Sequence, residues 1–388
     1  MRRWPTKPLG NVCELINGRA FKPGEWELEG VPIIRIQNLN DATKPFNYTR
    51  QQLPEKFRVR RGDTLLSWSG TPGTSFGCFR WQGPEGWLNQ HIFNVRLSAE
   101  VLPDFFVYQV NSKLGELIAK AHGGVGLQHV TKGALSSLGV TVPPLAEQER
   151  LVRILDEADA LRKLRAQADQ RTASFIPALF HEMFDDPSAN PRRWPTRRTG
   201  DLLAACDYGT SVKANEAGRG LAVLRMNNVT VSGEVDVSDL KHVELGADEL
   251  CKQRLRGGDV LFNRTNSREL VGKTGMWDGR FEAVAASYFI RLRFREDREH
   301  PQHFTTFMNL SSTKRRLLEM ARGAVGQANI NSKELQSITL PVPPLPLQRE
   351  FAAQVAEVRA MEAAQAASRR RLDALFQSLL HRAFAGEL

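Results

Sequence analysis

Val142-Pro143-Pro144-Leu145-Ala146-Glu147-Gln148 returns 200 residues later as Val342-Pro343-Pro344-Leu345-Pro346-Leu347-Gln348. In both places the prolines stop what precedes them, because they lack an N–H and hold φ near −65°. In both places a long stretch with apolar residues at steps of three and four follows. The repeat extends outward in order. Arg2-Arg3-Trp4-Pro5-Thr6 matches Arg192-Arg193-Trp194-Pro195-Thr196 at an offset of 190, and 33–38 matches 223–228 at the same offset. Arg61-Gly62-Asp63-Thr64-Leu65-Leu66 matches Gly257-Gly258-Asp259-Val260-Leu261-Phe262 at 196, and Gly123-Gly124-Val125-Gly126 matches Gly323-Ala324-Val325-Gly326 at 200. Five matches in one order describe a duplicated unit with loop insertions in the second copy. Two long copies are too few for a solenoid and suggest pseudo-two-fold symmetry instead.

Each copy divides at its prolines. Residues 1–146 and 191–346 read as mixed lobes. Short apolar runs at 31–37, 63–68, 91–97, 221–227, 259–263 and 287–294 predict strands, with alternation in 91–97 and 288–294 marking half-buried ones. Segments 104–121 and 302–322 predict helices, each opened by a proline (Pro103, Pro301). Residues 147–190 and 347–388 hold a long helix each, the first with a linker. Leu151, Leu155, Ala158, Leu161, Phe175 and Leu179 form one apolar stripe; Phe351, Val355, Val358, Leu372, Leu375 and Leu379 form the other. Such stripes need a partner, and each helix offers one to the other, antiparallel. About 35 helical residues span roughly 50 Å. Pro177 predicts a break in the first helix near 172–173. The expected fold class is therefore α+β: two pseudo-two-fold-related mixed α/β lobes joined by two long antiparallel coiled-coil helices.

Composition excludes several classes. The 388 residues are 41% hydrophobic and 25% charged, ordinary for a globular chain. No apolar run is long enough for a membrane span and no leader peptide is evident, so a cytoplasmic protein is expected. The four cysteines lie far apart, without zinc or disulfide spacing. The net charge of +10 is uneven: +5 in residues 1–147 and +6 in 191–347, against −2 in 148–190 and +1 in 348–388. Two positive lobes predict two contacts with one polyanion, and nucleic acid is the commonest.

No catalytic motif holds. Val271-Gly272-Lys273-Thr274 ends like a phosphate-binding loop, but the earlier glycine is replaced by Ser267. Histidine spacing fits no metal site, and neither catalytic nor metal residues are assigned. Polar residues beside predicted strand ends remain. These are Arg35, Gln37 and Asn38; Ser67, Trp68, Ser69 and Thr71; and Gln128 and His129. The second copy offers Arg225, Asn227 and Asn228; Asn263, Arg264, Thr265, Asn266 and Arg268; and Gln327 and Asn329. Arg pairs bidentately with guanine, and Asn or Gln with adenine. Polar residues also crowd ordinary turns, and the Gly-Asp pairs read equally as structural turns.

The two Pro-Pro-Leu-x-x-Gln segments, the Gly-Asp turns at Gly62-Asp63 and Gly258-Asp259, and the closing Ala383-Phe384-Ala385-Gly386-Glu387-Leu388 together resemble the DNA-specificity subunits of type I restriction–modification systems. The likeness covers nearly the whole chain and departs at Leu347, where the family usually has Glu. It implies that each lobe is a target-recognition domain reading half of an asymmetric, two-part site in double-stranded DNA. It implies helices that set the spacer, on the scale of a roughly 34 Å DNA turn. It also implies two methyltransferase subunits, which carry S-adenosylmethionine, an endonuclease or translocase subunit, and no catalysis in this chain. The residues alone also admit a helical scaffold with no DNA readout, or an enzyme with an unrecognised site.

Overall fold

A computed structural model describes residues 4–41, 43–70, 76–119, 128–267, 270–321 and 328–388. The chain forms two compact units. One comprises Met1–Arg165 with Ser368–Leu388, the other Ala166–Ala367. Each contains one lobe and a segment of both long helices.

In the first unit an antiparallel sheet runs in the order Cys13–Asn17, Ile92–Leu97, Thr64–Ser67, Gly77–Arg80. A second sheet runs Asn47–Thr49, Val31–Ile34, Gly86–Leu88, Arg58–Val59. The strands alternate between two cores. Leu66, Phe93 and Val95 face the helices, packing with Phe105, Phe106 and Val110. Leu65 and Ile92 face the second sheet with Ile34, Val59, Trp81 and Leu88. The other unit repeats the plan. Leu203–Tyr208, Phe289–Phe294, Val260–Asn263 and Thr274–Met276 form its first sheet; Lys241–Val243, Leu221–Leu224 and Ala283–Ala285 form its second.

The alternation in 91–97 and 288–294 predicted half-buried strands; both faces are covered along most of each strand, and Arg96 near one end is exposed. Two polar positions, Asn94 and Arg291, are buried and bonded: the Asn94 amide donates to Asp63 at 2.9 Å, and Arg291 donates to Asp207 at 2.7 Å. A strand with helices on one side and a sheet on the other has no solvent face, so its polar residues must find internal partners.

The expected helix at 104–121 is two, Pro103–Ser112 and Leu114–Ala119, and that at 302–322 is Pro301–Asn309 and Ser311–Met320. The first long helix runs Leu145–Thr172 and restarts as Phe175–Phe184, because Pro177 cannot donate to the carbonyl of residue 173. Its counterpart, Leu345–Ala385, is continuous over 41 residues.

Within each unit the helix segments are antiparallel. In the first, Leu151, Leu155 and Ala158 share a core with Phe376, Leu380 and Ala383, and Arg162 donates to Asp373 at 2.8 Å. In the second, Ile176, Phe180 and Phe184 pack with Phe351 and Val355, and Gln365 donates to Thr172 at 3.1 Å. Val358, Leu179 and Leu379 are partly buried against these cores, and Leu372 is half-buried. Three residues assigned to the stripe are corrected: Leu161, Phe175 and Leu375 are 51%, 45% and 48% exposed. The contacts instead fall on Ile176 and Phe376, one position later. The restart at Phe175 resets the helical phase, and a 3.6-residue helix drifts from a fixed stripe.

A buried glutamine ties each lobe to its helix. Gln148 accepts from the N–H of Leu102, the cap of the Pro103 helix, at 2.8 Å, and donates to Glu100 and Pro143 carbonyls at 2.7 and 2.8 Å. Gln348 accepts from the N–H of His300, the cap of the Pro301 helix, at 2.8 Å and donates to Pro343 at 2.7 Å. Proline at the first helical position leaves the cap N–H as an orphan donor, and the glutamine supplies its acceptor. Gln148→Leu and Gln348→Leu leave these groups buried and unpaired, so each should lower stability by about 2–4 kcal/mol. Denaturant unfolding of each variant checks this, and a midpoint unchanged from the parent would refute the clamp.

Candidate nucleic-acid interface

Short pairings bring the predicted readers of each lobe to one edge. In the first unit Ser69–Gly70 pairs with Gln128–His129. Trp68 donates its N–H to the His91 carbonyl at 3.3 Å and receives one from Val130 at 3.0 Å; Asn89 donates to Ile34 at 3.1 Å. In the second unit Thr265–Asn266 pairs with Ala328–Asn329. Arg264 donates to the Tyr288 carbonyl at 3.0 Å and accepts from Ile330 at 2.9 Å, and Ala286 donates to Leu224 at 2.9 Å. The three groups of readers, distant in sequence, thus meet around the turns 89–91 and 286–288. Thr71, Arg268 and Gln327 lie outside the described residues.

The geometry divides these residues. Arg35, Gln37 and Asn38 do not end a strand, nor do Arg225, Asn227 and Asn228. The strands stop at Ile34 and Leu224, and short helical turns, Ile36–Asn40 and Met226–Asn228, begin. The buried Asn38 accepts from Arg35 N–H at 3.1 Å and donates to the Lys44 carbonyl at 3.1 Å. Asn228 accepts from Arg225 N–H at 2.8 Å and donates to Asp236 and Asp239 carbonyls, both at 2.9 Å. An asparagine with oxygen and amide thus engaged is a turn clamp, and neither is free to read a base. Arg35 donates to Asn47 at 2.8 Å and lies over Trp26 at 5.1 Å; Arg225 donates to the Asp239 carboxylate at 2.8 Å. Ser67 and Ser69 are buried. Gln37 is half-buried and donates to the Pro45 carbonyl at 3.1 Å.

The Gly-Asp turns are internal supports. Asp259 is buried and takes Arg293 through two bonds of 2.7 Å each, while accepting the Arg256 N–H at 2.8 Å. Asp63 accepts from Arg60 N–H at 3.0 Å and Arg96 at 3.3 Å. Gly62 and Gly258 have φ of +91° and +89°, which only glycine adopts without strain.

A second set is presented outward. Asn227 and Asn329 are exposed, and Thr265 donates to Asn329 at 3.0 Å. Asn266 is half-buried and accepts from Ser267 N–H at 2.9 Å. Arg264 lies over the Tyr208 ring at 4.8 Å. Its Nε, the Nε of Arg225 and both ends of the buried Asn263 amide have no hydrogen-bond partner among the described residues. Orphaned buried polar groups are uncommon in folded proteins, and other buried atoms of this chain share the condition.

Sequence reading missed four contributors. Tyr208 and Tyr288 are 40% and 48% exposed at this edge. Gln90 bonds His91 at 2.8 Å, and the His91 ring lies 5.4 Å from that of Trp68. The available signal was position: His91 and Tyr288 each stand two or fewer residues before a matched strand. Lys273, on the failed phosphate-loop motif, is buried and donates to the Met226 carbonyl at 2.9 Å. Burial lowers its pKa.

Comparison with known proteins follows the same division. The family model described as type I restriction modification DNA specificity domain matches residues 1–170 and again 191–362. The chain is 25% identical over 99% of its length, and 89% of the relative's, to the EcoKI specificity subunit of Escherichia coli K12. It is 22% identical, with the same coverage of both chains, to the StySPI specificity subunit of Salmonella potsdam. Among solved structures, an S subunit of a type I restriction-modification system from M. genitalium aligns with TM-score 0.57 and 14% identity over 98% of this chain and 96% of that one. A chain from a study of type I R-M complex assembly and conformational transition aligns at 0.58 and 21%, over 99% and 98%.

Lys314 donates to the Gly272 carbonyl just before Lys273. Burial, then the Lys273 charge, push its pKa down to about 7. The unfolded lysine titrates near 10.4, so between these values the unfolded chain binds more protons and stability rises with pH. Below the folded pKa both states are protonated, so the pH dependence ends and the full cost of the buried charge remains. Lys314→Met should flatten the rise in unfolding free energy between about pH 7 and pH 10; a slope identical to the parent's would contradict the assignment.

Proposed function

The chain belongs to the family of type I restriction modification DNA specificity domains, and from that premise we propose that its two lobes read two different half-sites. The chain is the DNA-specificity subunit and supplies no catalysis. One observation carries the asymmetry: equivalent backbone positions hold different side chains. The residue bonded to the carbonyl of the turn before the central strand is Trp68 in one lobe, against His91. It is Arg264 in the other, over Tyr208. Arg264 reads guanine, the bidentate partner of a guanidinium. Trp68 and His91 offer ring surface in place of a guanidinium. The lobes recognise different sequences on one shared frame.

In this reading two methyltransferase subunits bind the chain and bring S-adenosylmethionine, and an endonuclease or translocase subunit joins them in the cytoplasm. The positive excess of the lobes attracts the DNA backbone, so affinity should fall steeply with salt. Among the described residues no helix is long and apolar enough to cross a membrane.

Methylation mapping in cells carrying the chain and its methyltransferase should show a two-part, asymmetric site. Arg264→Ala should relax one half only, by roughly 5- to 150-fold for the base concerned, and Trp68→Ala should act on the other half. One continuous palindrome, or two variants weakening both halves alike, would overturn this reading. Salt-insensitive or absent DNA binding by the complex would favour a scaffold.

A further inference from the structure

Beside Arg264 the second lobe contains a hollow of about 400 Å³ that none of the pairings above fills. Its walls are Val212, Ala214, Val223 and Met226; Lys213, Arg225, Asn227 and Tyr288 supply its polar groups. We propose that this hollow receives one unstacked nucleotide of the bound DNA, its base between Tyr288 and the apolar wall and its phosphate on Lys213. The inference rests on the reading of this lobe as a DNA-binding domain.

The shape is set by the backbone. Thr210 N–H donates to Ala285 at 2.8 Å and Ser287 N–H to Thr210 at 2.8 Å, closing one side. A Cβ on Gly209 would meet the Ala285 carbonyl oxygen at 2.2 Å, so only glycine allows this approach. Lys273 braces the Met226 carbonyl from within. Among the described residues the first lobe has no such brace: the register there sets Gly77 opposite Ser67, where the second lobe has Lys273 bonded to Asn263.

The chemistry suits a base outside its stack. A paired base presents only an edge, whereas apolar walls with an aromatic mouth match a base's faces. Tyr288 is nearly half exposed, and its backbone is held by Arg264. Asn227 is exposed, and the Arg225 Nε has no partner among the described residues. Lys213 is exposed, with no ion pair among the described residues. The volume lies within the usual range of small-ligand pockets. An unpaired nucleobase with its phosphate could also come from a free nucleotide. The position on the edge that gathers the readers favours the DNA strand.

The test uses the complex of this chain with its methyltransferase. Duplexes carry a fluorescent base analogue, 2-aminopurine or pyrrolo-cytosine, at each position of the half-site read by this lobe, the methylated position excepted. One position should brighten several-fold on binding. Tyr288→Ala and Val212→Trp should abolish the signal, and Tyr288→Phe should retain it; thermal melts identify any variant that fails to fold. Specific binding with no bright position overturns the hollow's role and leaves the two-lobe reading standing. Loss of all sequence-specific binding overturns both. Equilibrium dialysis with the four deoxynucleoside monophosphates tests the other source. Nucleotide binding that Val212→Trp removes, without a bright position in DNA, assigns the hollow to a free nucleotide and overturns the proposal.

Discussion

Each lobe is joined to its helix by one buried amide. Gln148 and Gln348 satisfy the cap N–H of a lobe helix and the last carbonyls before a long helix with a single side chain. A buried N–H without an acceptor costs about 1–3 kcal/mol. The Pro-Pro-Leu-x-x-Gln repeat is thus the chemistry of a joint. The prolines end the lobe, and the glutamine four residues later reaches back across the junction. The apolar residues after it then continue the lobe core, so Leu151 and Leu155 belong to the same cluster as Phe105 and Phe106. Phe351 and Val355 share one with Phe304 and Phe307. Neither long helix folds on its own account, since its buried face is completed by a lobe and by the other helix.

The duplication, the division at the prolines and most strands are legible because they depend on local rules: proline geometry, period-two patterning, glycine at positive φ. Helix phase is less legible. Leu161, Phe175 and Leu375 match the spacing of a stripe, yet a break at 173–174 and the drift of a 3.6-residue helix carry them to the surface. At the candidate edge single residues were less legible than the pairings that gather them. Asn38 and Asn228 carry the right chemistry for reading adenine but spend it on their own turns. Tyr288 shows no motif, and its importance comes from pairings that join residues far apart in sequence.

Frame and readout are carried by different side chains. Asp259 with Arg293, Asp63 with Asn94 and Arg96, and the two asparagine clamps are supports within the chain, and the aspartate turn and the asparagine clamp each occur in both units. Trp68 and Arg264 occupy equivalent positions with unrelated chemistry. Removing one partner of a buried ion pair costs several kcal/mol, so Asp259 and Arg293 are constrained by folding. Arg264, held by one aromatic face and no ion pair among the described residues, carries no such internal constraint. A protein built this way can change what it reads without changing how it folds.

The same separation explains where the structure is least satisfied. Around the second lobe's edge, Asn263 is fully buried with its amide unpaired, Arg225 and Arg264 each leave an Nε without a partner, and Lys273 is buried on one carbonyl. Filling these positions with apolar residues of similar volume would leave fewer unpaired groups, as replacements of buried polar pairs often do. Three of these four residues carry an atom with no partner among the described residues, and Lys273 has one partner. The orphaned atoms are themselves fully covered, and the side chains presented to a ligand at this edge are the exposed Asn227, Tyr208 and Tyr288. In the proposed reading the lobe's positive balance draws the DNA in, and the exposed side chains of this edge discriminate among sequences once it arrives.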